Sequence, residues 1–174
     1  KDSTNVEVNF DPRVEYNEAA HKAGVAKYKR ADALATSIDK QMETLRFMKQ
    51  SLNNARASLT YVPDSLKKEF KLLSDSLDKA IVEVEKSIFG PEEEVGITDQ
   101  SMYVISDFYT VFGYIDNGSM LYGSNGEAAF NKAEQSVLAS KLRVNTLIET
   151  IYNPWKKTVD ALEHSPAKQI GKLD

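Results

Sequence analysis

Cysteine is absent from this 174-residue chain, which excludes disulfides, thiolate nucleophiles and Cys-ligated zinc. Histidine is nearly absent: His21 and His164 lie at opposite ends and leave little material for a His-based site. No apolar run approaches the ~20 residues that would span a bilayer, so no transmembrane segment is expected. A basic excess is lacking too. Lys plus Arg number 22 against 26 Asp plus Glu, a formal net charge of −4, which argues against nucleic acid as a partner because phosphate affinity comes from cationic surplus. What remains is 41% apolar residues, enough for a core in a chain of about one domain's length. Lys1 rather than Met opens the chain and no signal peptide is visible. A processed protein or a part of a longer one is the expectation.

The chain divides at its prolines. Val6, Val8 and Phe10 alternate with Asn5, Glu7 and Asn9, a period-2 pattern that predicts a short β-strand stopped at Pro12. A lone strand is not stable, so residues 1–13 read as a strand remnant or linker from a preceding domain. From Asn17 to Leu59 there is no proline and a single glycine, Gly24. Ala31, Ile38, Leu45, Leu52 and Leu59 recur every seven residues, which predicts a long amphipathic helix with a heptad seam, capped by Asn17. A second helix is predicted from Asp64 to Ile88 on Leu66, Phe70, Leu73, Leu77, Ile81, Val84 and Ile88, ended by Gly90-Pro91. A third, capped by Thr98 or Asp99, carries Met102, Ile105, Phe108, Tyr109, Phe112 and Ile115. A fourth opens near Glu127 with Phe130, Val137, Val144 and Ile151 in heptad series. Asn153-Pro154 then reads as an N-cap and first residue of a final piece running to about Glu163. Residues 14–166 form one helical domain on this reading, and 167–174 a loose tail.

The fold expected is therefore all-α: an antiparallel four-helix bundle with a long first helix, a short extra C-terminal helical piece and the N-terminal strand remnant. Its core should contain Ile38, Leu45, Leu52, Leu73, Leu77, Val84, Val137, Val144 and Ile151. Residues 17–59 carry 8 basic and 4 acidic side chains and residues 64–118 carry 5 and 12, so the first helix and its neighbours attract. With the helices alternating in direction, Trp155 should lie against the small-residue stretch Ala20, Ala23, Gly24 and Ala26.

Chemistry-bearing patterns mostly fail. Glu18-x-x-His21 has the spacing of a di-metal carboxylate motif, but the required second copy is missing. Asp116 to Glu127 has the length of a calcium loop, yet Leu121 stands where glycine is required. Gly123 and Gly126 lack the strand and lysine of a phosphate loop. Neither catalytic residues nor a metal or cofactor site are expected. The aromatic cluster of the third helix and its surroundings reads as a possible interface: Tyr103, Tyr109, Tyr114 and Tyr122, with Trp155 as a further exposed candidate. An alternative is a hydrolase fragment contributing carboxylates from residues 92–107, including Glu92, Glu93 and Glu94. A third reading is a free-standing helical adaptor that dimerises through the overhang of the first helix.

The order of strand, Asp11-Pro12-Arg13 and a helix of over forty residues resembles the C-terminal helical region of secreted bacterial proteins built around a sortilin-like, BNR-repeat β-propeller. The aromatic third helix, Leu121-Tyr122-Gly123 and Tyr152-Asn153-Pro154-Trp155 extend the resemblance. It implies a non-catalytic module of an exported protein (periplasmic, outer-membrane associated or secreted). The partners it implies are the chain's own upstream propeller and β-sandwich domains, or another protein. The glycosyl hydrolase activity often ascribed to such proteins would belong to the propeller.

Overall fold

The computed structural model describes residues 4–5, 13, 17–58, 64–91, 100–116, 123–161 and 171–172. The predicted strand Val6–Phe10, Leu59, the Glu92–Glu94 run and Tyr122 lie outside the described residues. Among the described residues the protein is all-helical. Four main helices carry it: α1 (Glu18–Ala57), α2 (Asp64–Phe89), α3 (Val104–Asp116), preceded by a 3₁₀ turn at Gln100–Met102, and α4 (Gly123–Leu147). A π-helical turn, Ile148–Tyr152, joins α4 to the short α5 (Asn153–Asp160).

Helix α1 starts where its cap predicts: the Asn17 side-chain oxygen accepts from the Ala20 N–H at 3.0 Å, satisfying one of the orphan donors of the first turn. Its buried positions Ala31, Leu34, Ile38, Gln41, Leu45, Met48, Leu52 and Ala55 alternate at three and four residues. That is an uninterrupted a/d seam of about 36 Å, from Ala31 to Ala55, along a helix of about 60 Å, and the seam must be covered over its whole length.

The directions of the other helices follow from what they touch. Arg56 reaches Asp75 and Asp78, while Lys49 reaches Glu85, so α2 runs antiparallel to α1. Arg30 reaches Glu127 and Glu134, Gln41 pairs with Ser140, and Tyr152 bonds Ser51. These partners ascend together, so α4 and its extension run parallel to α1. Asp107 of α3 pairs with Lys132 and Ser136 of α4. If α3 ran alongside α4 in the same sense, Asp116 and Gly123 would lie about 30 Å apart along the axis, beyond the roughly 25 Å that the joining chain spans. Helix α3 is therefore antiparallel to α4 and continues in the direction of α2.

The alternating up-down-up-down order expected from the sequence is corrected accordingly. Helix α2 is level with α1 only over its second half: Asp75 and Asp78 sit at Arg56 and Glu85 at Lys49, so its first turns extend beyond the end of α1. The two shorter helices follow one another down the same column, because α2 alone leaves the N-terminal half of the α1 seam uncovered. The bundle has three columns: α1, α2 followed by α3, and α4 continued by α5.

Of the predicted core, Ile38, Leu45, Leu52, Leu77, Val137 and Val144 are buried, while Leu73, Val84 and Ile151 are half-buried against it. Ile151 loses its place to the π turn. The Asn153 N–H bonds the Ile148 carbonyl five residues back, which inserts one extra residue into the heptad register. The turn immediately precedes Pro154, whose missing N–H could not have continued the α-helical ladder. Asn153 thus does not cap a separate helix. Beyond the turn, Tyr152, Trp155 and Val159 take the core positions.

The α1–α4 seam is tied at its lower end by Arg30. Its guanidinium donates to both carboxylate oxygens of Glu134 (2.5 and 3.0 Å), to Glu127 (2.6 Å) and to Asn131 (3.1 Å), and sits 4.7 Å from the Phe130 ring centroid. Hydrogen bonding to Glu134 raises the Arg30 pKa, and the same bond holds the Glu134 carboxyl below its ordinary value of 4.5. A depressed carboxylate stabilises the fold above the unfolded-state pKa and loses that contribution as pH falls through the folded one. The melting temperature of the wild type should therefore fall more steeply below pH 4.5 than that of Glu134→Gln. The difference should shrink with added salt, since the pair is partly exposed. Parallel acid profiles for the two proteins would contradict the clamp.

Candidate functional site

Gly90 ends α2 with a φ of +86°, the left-handed conformation that closes helices and that glycine adopts without penalty. The Tyr103 ring rests on it: a Cβ at position 90 would meet Tyr103 Cε2 at 2.9 Å. This contact is where α2 hands its column to α3. Gly90→Ala should therefore lower stability by about 1–2 kcal/mol through the left-handed backbone, with a further loss from displacing Tyr103. A denaturant midpoint equal to wild type would show that the junction tolerates a side chain.

Around this junction, apolar side chains face solvent. Phe89, beside Gly90, is 47% exposed, and Met102, beside Tyr103, is 71% exposed. Next to them a surface groove of about 490 Å³ runs between α1 and α2, lined by Met42, Lys49, Val82, Glu85, Lys86 and Phe89 as well as Gly90. Its floor is apolar, from Met42 and Val82. Its rim is charged, with Lys49 Nζ and Glu85 Oε2 paired across it at 2.5 Å. An apolar floor with a polar rim is the anatomy of a protein-contact surface.

The sequence-predicted interface residues divide. Tyr109 is 65% exposed on the outer face of α3, at 6.2 Å from Phe108. Tyr114 is half-buried against the core, and Tyr103 is half-buried on Gly90. Trp155 is a correction. It is 1% exposed and lies on α2 rather than on the Ala20–Tyr28 stretch, its indole N–H donating to Ser74 Oγ at 3.1 Å. The parallel course of α4 carries Trp155 toward the C-terminal half of α1, away from Gly24. The sequence reading ended the second helix at Ile88, just before Phe89, and placed Met102 in the apolar set of the third. Their exposure follows from the end-to-end meeting of α2 and α3, which leaves the side chains at the joint without a third helix to cover them.

The buried polar side chains have internal partners. Gln41 accepts from Ser140 Oγ at 2.6 Å, and its amide donates to the Val137 carbonyl at 3.4 Å. Thr44 donates to the Lys40 carbonyl. Tyr152 donates to Ser51 at 3.4 Å, and burial holds its phenol above the ordinary range. Asp107 is the member of the 92–107 carboxylate group that lies among the described residues. It is buried, with Lys132 Nζ at 2.8 Å and the Ser136 hydroxyl donating to it. Among the described residues no three His, Asp or Glu side chains are grouped to hold a metal ion, and no helix is long and apolar enough to cross a membrane.

Comparison of the chain with protein-family models, with curated proteins and with solved structures finds no match.

Proposed function

We propose that this chain is a non-catalytic helical module that docks on a neighbouring protein surface through the α2–α3 junction. The observation that carries this reading is the contrast at the junction. Phe89 and Met102 are exposed beside an apolar-floored groove, while the buried carboxylate and amide are engaged in helix–helix contacts. A hydrolytic site would instead hold a carboxylate in a cleft, poised by desolvation and a like charge. Asp107 has a lysine and a hydroxyl as its neighbours. The surface proposed here suits the helical portion of an exported propeller protein, packed on its own upstream propeller or β-sandwich, or on a separate protein.

The test is a Phe89→Ser, Met102→Ser double variant, titrated by calorimetry against the separately expressed upstream region. Phe89 is 47% and Met102 71% exposed, so the melting temperature should fall only slightly, whereas affinity should fall by about tenfold or more if they are anchors. Unchanged affinity in a folded variant would overturn the junction as the docking surface.

A further inference from the structure

Along α1 the contacts to its neighbours repeat with the heptad. The seam positions Ala31, Ile38, Leu45 and Leu52 are seven residues apart and apolar, and on α4 Phe130, Val137 and Val144 recur at the same interval. Thr44 and Ser51, one heptad apart, both carry buried hydroxyls, and Ser51 accepts from Tyr152. Lys49 and Arg56 are spaced by seven, as are their partners Glu85 and Asp78. Arg30 spans Glu127 and Glu134, again a heptad apart. A slip of α1 by seven residues, about 10 Å, would therefore set like on like almost throughout. Helix α2 overhangs the end of α1, so the slip that raises α1 shortens the connection between them. In that slip Lys49 takes up Asp78, Thr44 takes the place of Ser51 beneath Tyr152, and Arg30 keeps Glu134. Arg56 alone gives up its carboxylates, and a half-exposed ion pair discriminates weakly.

One position breaks the repeat. Gln41 is the single polar side chain in the series Leu34, Gln41, Met48 and Ala55, and Ser140 the single one in the facing series Ala133, Ser140 and Leu147. Both are 1% exposed. Ser140 Oγ donates to Gln41 Oε1 at 2.6 Å, and the Gln41 amide donates to the Val137 carbonyl at 3.4 Å. A backbone carbonyl recurs in every register, but the hydroxyl does not. One heptad up, Gln41 faces Leu147; one heptad down, it faces Ala133. In both its side-chain oxygen is buried without a donor, at the full cost of desolvation.

We propose that the Gln41–Ser140 hydrogen bond is the register lock of the bundle. It selects one among heptad-related alignments of α1 that the apolar seam does not tell apart. A buried polar pair of this kind contributes alignment rather than stability. The consequence reaches the surface: with α1 raised by a heptad, Ala35 replaces Met42 in the floor of the α1–α2 groove, so the lock also holds that groove in shape.

The chain has no cysteine, so nitroxide labels at Lys29→Cys on α1 and Lys79→Cys on α2, both exposed, report the register through their separation in pulsed electron resonance. With Gln41 and Ser140 in place, a single distance is expected. Gln41→Leu exchanges the amide for a hydrocarbon of similar size, and the Ser140 hydroxyl then turns to the Ser136 carbonyl of its own helix. Its melting temperature should equal or exceed that of the wild type, while a second distance appears, shorter by about 10 Å. Ser140→Ala strands the Gln41 oxygen in every register, so its melting temperature should fall and the same second distance should appear. A single, unshifted distance in either folded variant would overturn the lock and leave the pair an ordinary buried contact. A labelled protein that already shows both distances with Gln41 and Ser140 intact would overturn it as well.

Discussion

Trp155→Ala is expected to lower the unfolding free energy by ~3–5 kcal/mol, the cost of deleting a buried aromatic and leaving its cavity. The indole is 1% exposed, its ring centroid 5.6 Å from that of Tyr152, and it closes the contact between α5 and α2. Removing it also deprives Ser74 Oγ of its donor, in a site where Ser74 itself is 1% exposed. Trp155→Phe separates the two effects: it keeps an aromatic ring and loses the N–H, so a smaller loss of about 1 kcal/mol is expected for the hydrogen bond, plus a packing cost for the narrower ring. Urea unfolding followed by circular dichroism, which does not depend on the tryptophan signal, measures both. A Trp155→Ala protein as stable as wild type would place the indole outside the core.

Leu45→Ala should cost ~2–5 kcal/mol by the same transfer and cavity terms. Leu45 is fully buried at the centre of the α1 seam, near the level where α2 gives way to α3. Leu142→Ala removes the same atoms from a side chain that is 60% exposed and should shift stability by no more than about 0.5 kcal/mol. The contrast between two leucine truncations on one bundle tests the assignment of inner and outer faces. Equal losses would contradict it.

The long first helix was legible because its heptad is unbroken and its cap is local: Ala31, Ile38, Leu45 and Leu52 announce one face, and Asn17 fixes the start. The attraction between the first two helices was legible in their opposite charge balance and is made concrete by the Lys49–Glu85 and Arg56–Asp75 pairs. The direction of α4 was not. Periodicity identifies a helix and its buried side, but not which neighbour it follows. The decisive fact, that α2 and α3 share a column, lies in the register: α2 overhangs the end of α1 and reaches down only to about Met42, leaving the rest of the seam to α3. That register is not written in the periodicity of either helix. The π turn also left a trace. Ile148, Tyr152, Trp155 and Val159 are spaced four, three and four, one residue out of phase with Phe130, Val137 and Val144, and Pro154 marks why the phase must change. Reading Ile151 as the next core position followed the old phase, and placing Trp155 against the Ala20–Ala26 stretch followed from the alternating helix order. At the candidate site, the aromatic richness of the third helix pointed to the right region through Tyr109. Phe89 and Met102 could not be singled out, because their exposure depends on where two helix ends meet.

The docking role proposed for the α2–α3 junction is tested most directly by hydrogen exchange, with this chain measured alone and joined to the upstream domain proposed as its partner. The account predicts slowed exchange at the C-terminal turn of α2 and along α3 in the joined protein, with α1 near its N-cap and the middle of α4 unchanged. Exchange that is the same in both proteins across Glu85–Gly90 and Met102–Gly113, or slowed only elsewhere, would contradict it.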